Sequence, residues 1–159
     1  MIYAVPAIVT PLSQGDVIDN CPVLLWHLDE QRNYKSVESL ARVVVLTQAC
    51  DLAQSKSARV TVAIVYPVEK VVNAEMLGAS AIRDHVRAHR VYGWYFLPRG
   101  EPLVDLRDLH TVPRPMLDDL IADGQRRCRL VTPYREHMAQ HFSTTYARIA
   151  LPEPYETQT

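Results

Sequence analysis

What the chain has little of narrows it first. Glycine is scarce, five in 159 residues, and no glycine-rich phosphate loop, dinucleotide fingerprint or G-x-S-x-G elbow is present. The nucleotide folds and hydrolases that depend on those loops are set aside. Cys21, Cys50 and Cys128 are an odd count without a C-x-x-C pair. That argues against a disulfide framework or a four-thiolate zinc site and for a reducing, cytoplasmic compartment. Charge of one sign is also missing: 17 basic against 18 acidic residues confines any nucleic-acid-binding face to a local patch. The apolar N-terminus has no basic flank and is broken by Pro6 and Pro11, so neither a signal peptide nor a membrane span is expected. No internal repeat is visible.

What is present is enough apolar residue, 48%, for one globular domain over 1–159, with an N-terminal arm (1–13) and a flexible tail (151–159). The chain is organised around Ala41 to Leu52. There the run Val43-Val44-Val45-Leu46 reads as a strand buried on both faces, and it ends in Thr47, Gln48, Cys50 and Asp51. Before it, Ala7-Ile8-Val9 reads as an extended arm or edge strand between prolines. Gln14-Gly15-Asp16 is a turn into a strand from Val17 towards Trp26, with a bulge near Cys21-Pro22. His27 to Ser39 lacks apolar periodicity and reads as a loop.

After the central strand, Ala53 to Ala58 is a connection and Arg59 to Val68 alternates as the next strand, pairing with the central one. Asn73 is placed to cap an inserted helix from Ala74 to His89. Tyr92 to Leu97 is an aromatic strand, and Leu103 to Leu106 and His110 to Val112 are two short extended pieces. A short helix follows from Met116 to Asp123, stopped by Gly124. Arg129 to Val131 is extended. Thr132 then caps a closing helix from Pro133 to Ile149, with Tyr134, Met138, Phe142, Thr145 and Ile149 on one face. Strands before a terminal helix predict an α+β fold, a small, strongly bent antiparallel β-barrel with an inserted helix and a C-terminal helix.

The chemistry follows from where polar groups leave the core. A buried strand cannot carry its polar residues through apolar surroundings, so Arg42, Thr47, Gln48, Cys50 and Asp51 are expected at one rim, joined by Arg107, Asp108 or His110. Cys50 is a nucleophile only if a cation or base lowers its pKa, and otherwise a small filler at a strand end. Arginines far outnumber lysines in the second half, and Arg107, His110, Arg114 and Arg135 are the candidate phosphate contacts, with Tyr92, Trp94, Tyr95 and Tyr134 as stacking surfaces. His85/His89 and His137/His141 each stand four apart, but neither forms H-E-x-x-H, so solvated helix faces are the reading and no metal or cofactor is assigned.

Several segments resemble the MazF/PemK family of toxin endoribonucleases, which have an SH3-like barrel. Gly15-Asp16-Val17 resembles the family's opening G-D-[IV], and Arg42 to Thr47 its R-P-x-x-[VI]-[LI]-[ST] strand. Val62 to Val68 resembles the V-x-P-[VI]-[TS] strand that follows, and Val104 to Val112 the x-D-[QL]-[IL]-[RK]-[TS]-[VI] segment. The resemblance implies an SH3-like barrel that binds and cleaves RNA, with the family's catalytic arginine falling on Arg42. Its catalytic hydroxyl falls on Glu69 and its proline on Val43, departures that favour a shared barrel over a shared activity. The expected partner is RNA, with Arg42, Thr47, Cys50 and Asp51 as the catalytic candidates. The alternative is a non-catalytic module that binds a protein or a second copy through its arm and aromatic strand.

Overall fold

The computed structural model describes residues 1–54, 58–97 and 102–147. Its elements are β1 (Tyr3–Ala4), β2 (Asp16–Leu28), β3 (Tyr34–Val45), α1 (Ala49–Ala53), β4 (Arg59–Tyr66) and α2 (Val68–Asn73). Then come α3 (Ala79–Ala81), running on into a π-helical turn (Ile82–Val86), β5 (Trp94–Phe96), β6 (Leu103–Pro113), α4 (Arg114–Ala122), β7 (Arg126–Leu130) and α5 (Tyr134–Tyr146). The strands form one antiparallel sheet in the order β1-β7-β2-β3-β4-β6-β5, so the fold is α+β. The sheet does not close: among the described residues its edges are the two-residue β1 and the three-residue β5. No described helix is long and apolar enough to cross a membrane.

The run Val43 to Leu46 is buried on both sides, as its composition predicts, because helices cover both faces of the sheet. Val43, Val45, Val62 and Ile64 point to one face, where Leu117 and Ile121 of α4 and Leu52 of α1 pack. Val44, Ala63, Val65 and Leu106 point to the other, under Tyr3, Tyr95 and Met138 of α5. Beside them, Val71, Ile82 and Val86 close over Trp94, Phe96 and Leu103. β3 and β4 pair as expected, Val44 opposite Ala63. The bulge expected near Cys21 falls at Asp19-Asn20.

Several segments differ from the sequence reading. His27 to Ser39 is not a loop: β2 and β3 pair out to Leu28 and Tyr34. The hairpin is closed by a turn in which Asp29 Oδ1 accepts the Asn33 amide at 2.8 Å and the Asp29 amide donates to the Asn33 carbonyl at 3.0 Å. Cross-strand pairing and this Asx-type turn hold it together where burial does not. The inserted helix begins earlier, at Val68 behind Pro67, and Asn73 is its last residue rather than its cap. Gly78 separates it from α3, consistent with the poor helix propensity of glycine.

The two extended pieces around Leu106 are one strand carrying a bulge, α4 begins at Arg114, and β7 begins at Arg126. In the arm, Ala7 to Thr10 forms a turn, and the short pairing lies at Tyr3-Ala4 instead. Thr132 does not cap α5 through its backbone; its hydroxyl bonds Glu136 Oε1 at 3.1 Å. Ile149 and the tail from 151 lie outside the described residues.

Candidate functional site

Two bulges place most of the polar candidates, because a bulge turns side chains out of the ladder. In the first, Ile18 pairs with Val43 and Cys21 with Ala41, leaving Asp19 and Asn20 opposite Arg42 alone. Asn20 takes φ 55° and bonds the Gln125 side chain at 2.8 Å. The Asp19 carboxylate then meets Arg42 Nε at 2.5 Å and Arg127 Nη1 at 3.7 Å. Arg42 opens onto a groove of about 490 Å³ that Tyr66 and Lys70 also line, the Lys70 ammonium lying 5.3 Å from the Tyr66 ring centre.

In the second bulge Ile64 pairs with Asp105 but Ala63 with Leu109, so Leu106, Arg107 and Asp108 stand outside the ladder. Asp108 accepts the Tyr66 hydroxyl at 2.7 Å on one oxygen and lies 3.0 Å from His110 Nε2 on the other. Burial, then the Asp108 acceptor and its charge, hold the Tyr66 hydroxyl far above the ordinary phenol range. Arg107 turns the other way. Its guanidinium lies 5.3 Å from the Trp94 ring centre and 3.1 Å from the buried Asp105 carboxylate.

The end of the central strand holds all the rest but Arg135. Thr47 Oγ1 accepts the Thr61 amide at 2.8 Å, tying the strand exit to β4. Cys50 is exposed on α1, and its thiol neighbours are Gln48 Oε1 at 3.6 Å and Asp51 Oδ1 at 3.8 Å, neither of them a cation. Arg114 reaches this end by donating to the Leu52 carbonyl at 2.8 Å, with Asp118 at 3.7 Å. Arg135 sits on α5 paired with Glu136, whose carboxyl it holds below the usual range.

The structure therefore distributes the candidates. Arg42 faces the groove, Thr47, Cys50 and Asp51 follow the strand end, where Arg114 holds the Leu52 carbonyl, His110 joins Asp108 and Tyr66, and Arg107 and Arg135 each stand apart. Thr47 lies five positions after Arg42, about 16 Å of extended chain. Among the candidate phosphate contacts, Arg107, Arg114 and Arg135 each have a carboxylate within 4 Å, and His110 has Asp108.

Two polar clusters were not legible in the sequence. Asp16, fully buried, accepts Arg129 at 2.6 and 2.8 Å, Arg126 at 3.3 Å and the Ser13 amide at 3.0 Å. Both arginines also donate to carbonyls of the arm, Arg126 to Ala7 and Arg129 to Pro11, so this knot binds the N-terminus to β7. Its signal was a lone aspartate opening an apolar strand, which calls for cations without saying which. The second joins one histidine of one i,i+4 pair to both histidines of the other: His89 lies 4.9 Å from His137 and 6.1 Å from His141, ring centre to ring centre. Helical spacing within each segment carries no information on that meeting. Among the described residues no group of three or more His, Cys, Asp or Glu side chains is arranged to hold a metal ion. No protein-family model and no curated protein matches this chain.

Proposed function

We propose that this protein is an interaction module whose contact surface is the β2–β3 hairpin, and that the surface joins two copies of the chain. The observation that carries the reading is the cluster of exposed large apolar residues on one face of that hairpin. β2 pairs with β7 only over Asp16 to Ile18, and β3 with β4 only over Val43 to Val45. Beyond those points both hairpin edges are unpaired among the described residues.

With a period of two, Leu24, Trp26 and Leu28 share one face with Tyr34, opposite Leu28, and Leu40, opposite Pro22, while Glu38 and Ser36 stand opposite Leu24 and Trp26. All five are exposed, Trp26 at 75% and Tyr34 at 73%. Five large exposed apolar side chains on one face of an open-edged hairpin, interrupted only by Ser36 and Glu38, mark a surface that is covered in use. Antiparallel pairing of β3 with β3 of a second copy about Val37 sets Tyr34 opposite the partner's Leu40, twice, and merges the two faces into one.

Sedimentation velocity over a concentration series tests this. Wild-type protein is expected at the mass of two chains, and Leu40→Lys at the mass of one with the circular dichroism spectrum unchanged and a melting temperature that no longer depends on concentration. A single-chain mass for wild type at the highest attainable concentration overturns the reading.

A second reading, nucleic-acid binding on a distorted SH3-like barrel, is favoured by the groove that brings Arg42, Lys70 and the Tyr66 ring together. A guanidinium, an ammonium and an aromatic face are the elements of a single-strand binding groove. The bulges in β2 and β6 that coil the sheet support the barrel comparison. Titration with single-stranded RNA at several salt concentrations tests it: affinity that falls steeply with salt supports this reading, and no binding at low salt removes it.

A further inference from the structure

The histidine cluster stands apart from both surfaces. The helix leading to it widens into a π-helical turn, with the Arg87 amide on the Ile82 carbonyl at 3.1 Å and the Arg90 amide on the His85 carbonyl at 3.0 Å. His89 then takes φ 54°, a left-handed conformation that a bulky residue keeps only where its surroundings hold it. Here a ring stack holds it, His89 on Tyr95 at 4.5 Å and 28°. His137, one turn before His141 on α5, meets His89 edge-on and lies 3.0 Å from the Tyr95 hydroxyl through Nδ1. His141 Nε2 lies 3.1 Å from the Val91 carbonyl, an acceptor only, so this nitrogen carries the proton. His89 Nδ1 is buried with no hydrogen-bond partner among the described residues.

Between these rings opens a cavity of about 500 Å³. The three imidazoles line it with Arg90, Tyr92, Gln140 and Thr144, the Thr144 hydroxyl donating to the Gln140 carbonyl at 2.9 Å. No aspartate or glutamate lines it. Arg90 has no carboxylate within ion-pair distance among the described residues. A hollow without an acid, holding a guanidinium, a carboxamide and imidazoles, matches a compact multivalent anion. We propose that this cavity between the π-helical turn and α5 is a binding site for a phosphate-type oxyanion, free or as the phosphate of a mononucleotide. The mononucleotide source enters because His89 and His137 also line a second cavity of about 330 Å³, walled by Ile2, Tyr95, Leu130 and Tyr134, of a size and polarity for an aromatic ring.

An anion beside His89 offsets the burial and the repulsion from His137 and His141 that keep that ring unprotonated, so binding is coupled to proton uptake at His89 and tightens as pH falls. The groups facing His89 are His137 and His141 from α5, Tyr95 from β5, and Arg90 on its own segment, with Tyr134 lining the second cavity.

The test is a titration of the full chain with inorganic phosphate, and separately with sulfate, whose charge is constant across the pH range used, followed by the imidazole proton resonances. Saturable shifts are expected at His89, His137 and His141, with His27, His85 and His110 as internal controls. Arg90→Gln, at an exposed position, is expected to weaken binding roughly tenfold with an unchanged melting temperature. Adenosine monophosphate distinguishes the sources. Binding tighter than phosphate, with shifts at Tyr95, identifies a nucleotide, and equal binding identifies the free anion; both uphold the site. Shifts spread equally over all six histidines, no shift at all, or wild-type affinity in Arg90→Gln overturns it.

Discussion

Asp16 shows how one residue decides more than its motif suggests. Its carboxylate has no solvent exposure and serves two guanidinium groups, so its loss leaves two cations facing each other across a buried strand. Asp16→Asn keeps the shape and removes the charge, and it is expected to cost about 3–5 kcal/mol in urea unfolding, the usual penalty for breaking a buried pair on one side. A loss under about 1 kcal/mol would mean that water already screens the cluster.

His89 gives the opposite kind of prediction, in pH. Burial first, then His137 and His141, push it from 6.5 down to about 4. As pH falls through that window the unfolded chain takes a proton that the folded chain refuses. Stability therefore decreases between those two values and is flat below the lower one. The comparison is wild type against His89→Asn in phosphate-free buffer. The stability difference between them should shrink or reverse as pH falls, and a constant difference sinks the assignment.

At the scale of elements, the β6 bulge depends on the residue it crosses. Gly93 has φ 82°, and a Cβ there would come within 2.7 Å of Arg107 Cδ, whereas at Gly124, φ 77°, a Cβ would meet nothing within 4 Å. Both alanine variants carry left-handed strain of about 1 kcal/mol or more, but only Gly93→Ala must also move Arg107 from the face of Trp94. Gly93→Ala is therefore expected to be the less stable of the two and to change the tryptophan emission. Equal melting temperatures and spectra would show that the Arg107 stack is incidental. The hairpin makes the complementary point. Its outer strands read as a loop, because periodicity marks a strand only where one face is buried, and this hairpin buries neither face beyond Val23.

For the whole molecule, the sheet separates two apolar layers, one under α4 and the other under α5. Ile121→Val on one side is expected to cost about 0.5–1.5 kcal/mol and Met138→Ala on the other about 2–5 kcal/mol. Because the two residues lie on opposite faces without shared neighbours, the double variant should equal their sum within about 0.5 kcal/mol, as read from urea midpoints and slopes. A larger departure would show that the layers are coupled through the sheet.

By itself the sequence determined the α+β class, the doubly buried central strand, the β2 bulge and the helices after Pro113 and Pro133, since apolar period, proline and glycine act within a few residues. Tertiary structure alone decided that the sheet stays open, that Arg42 meets Asp19 while Cys50 lies beyond the strand on α1, and that His89 faces His137 and His141. Those contacts join residues 23 to 52 positions apart, and a pattern that repeats every two or four residues holds no record of which distant partner will satisfy a charge or close a cavity.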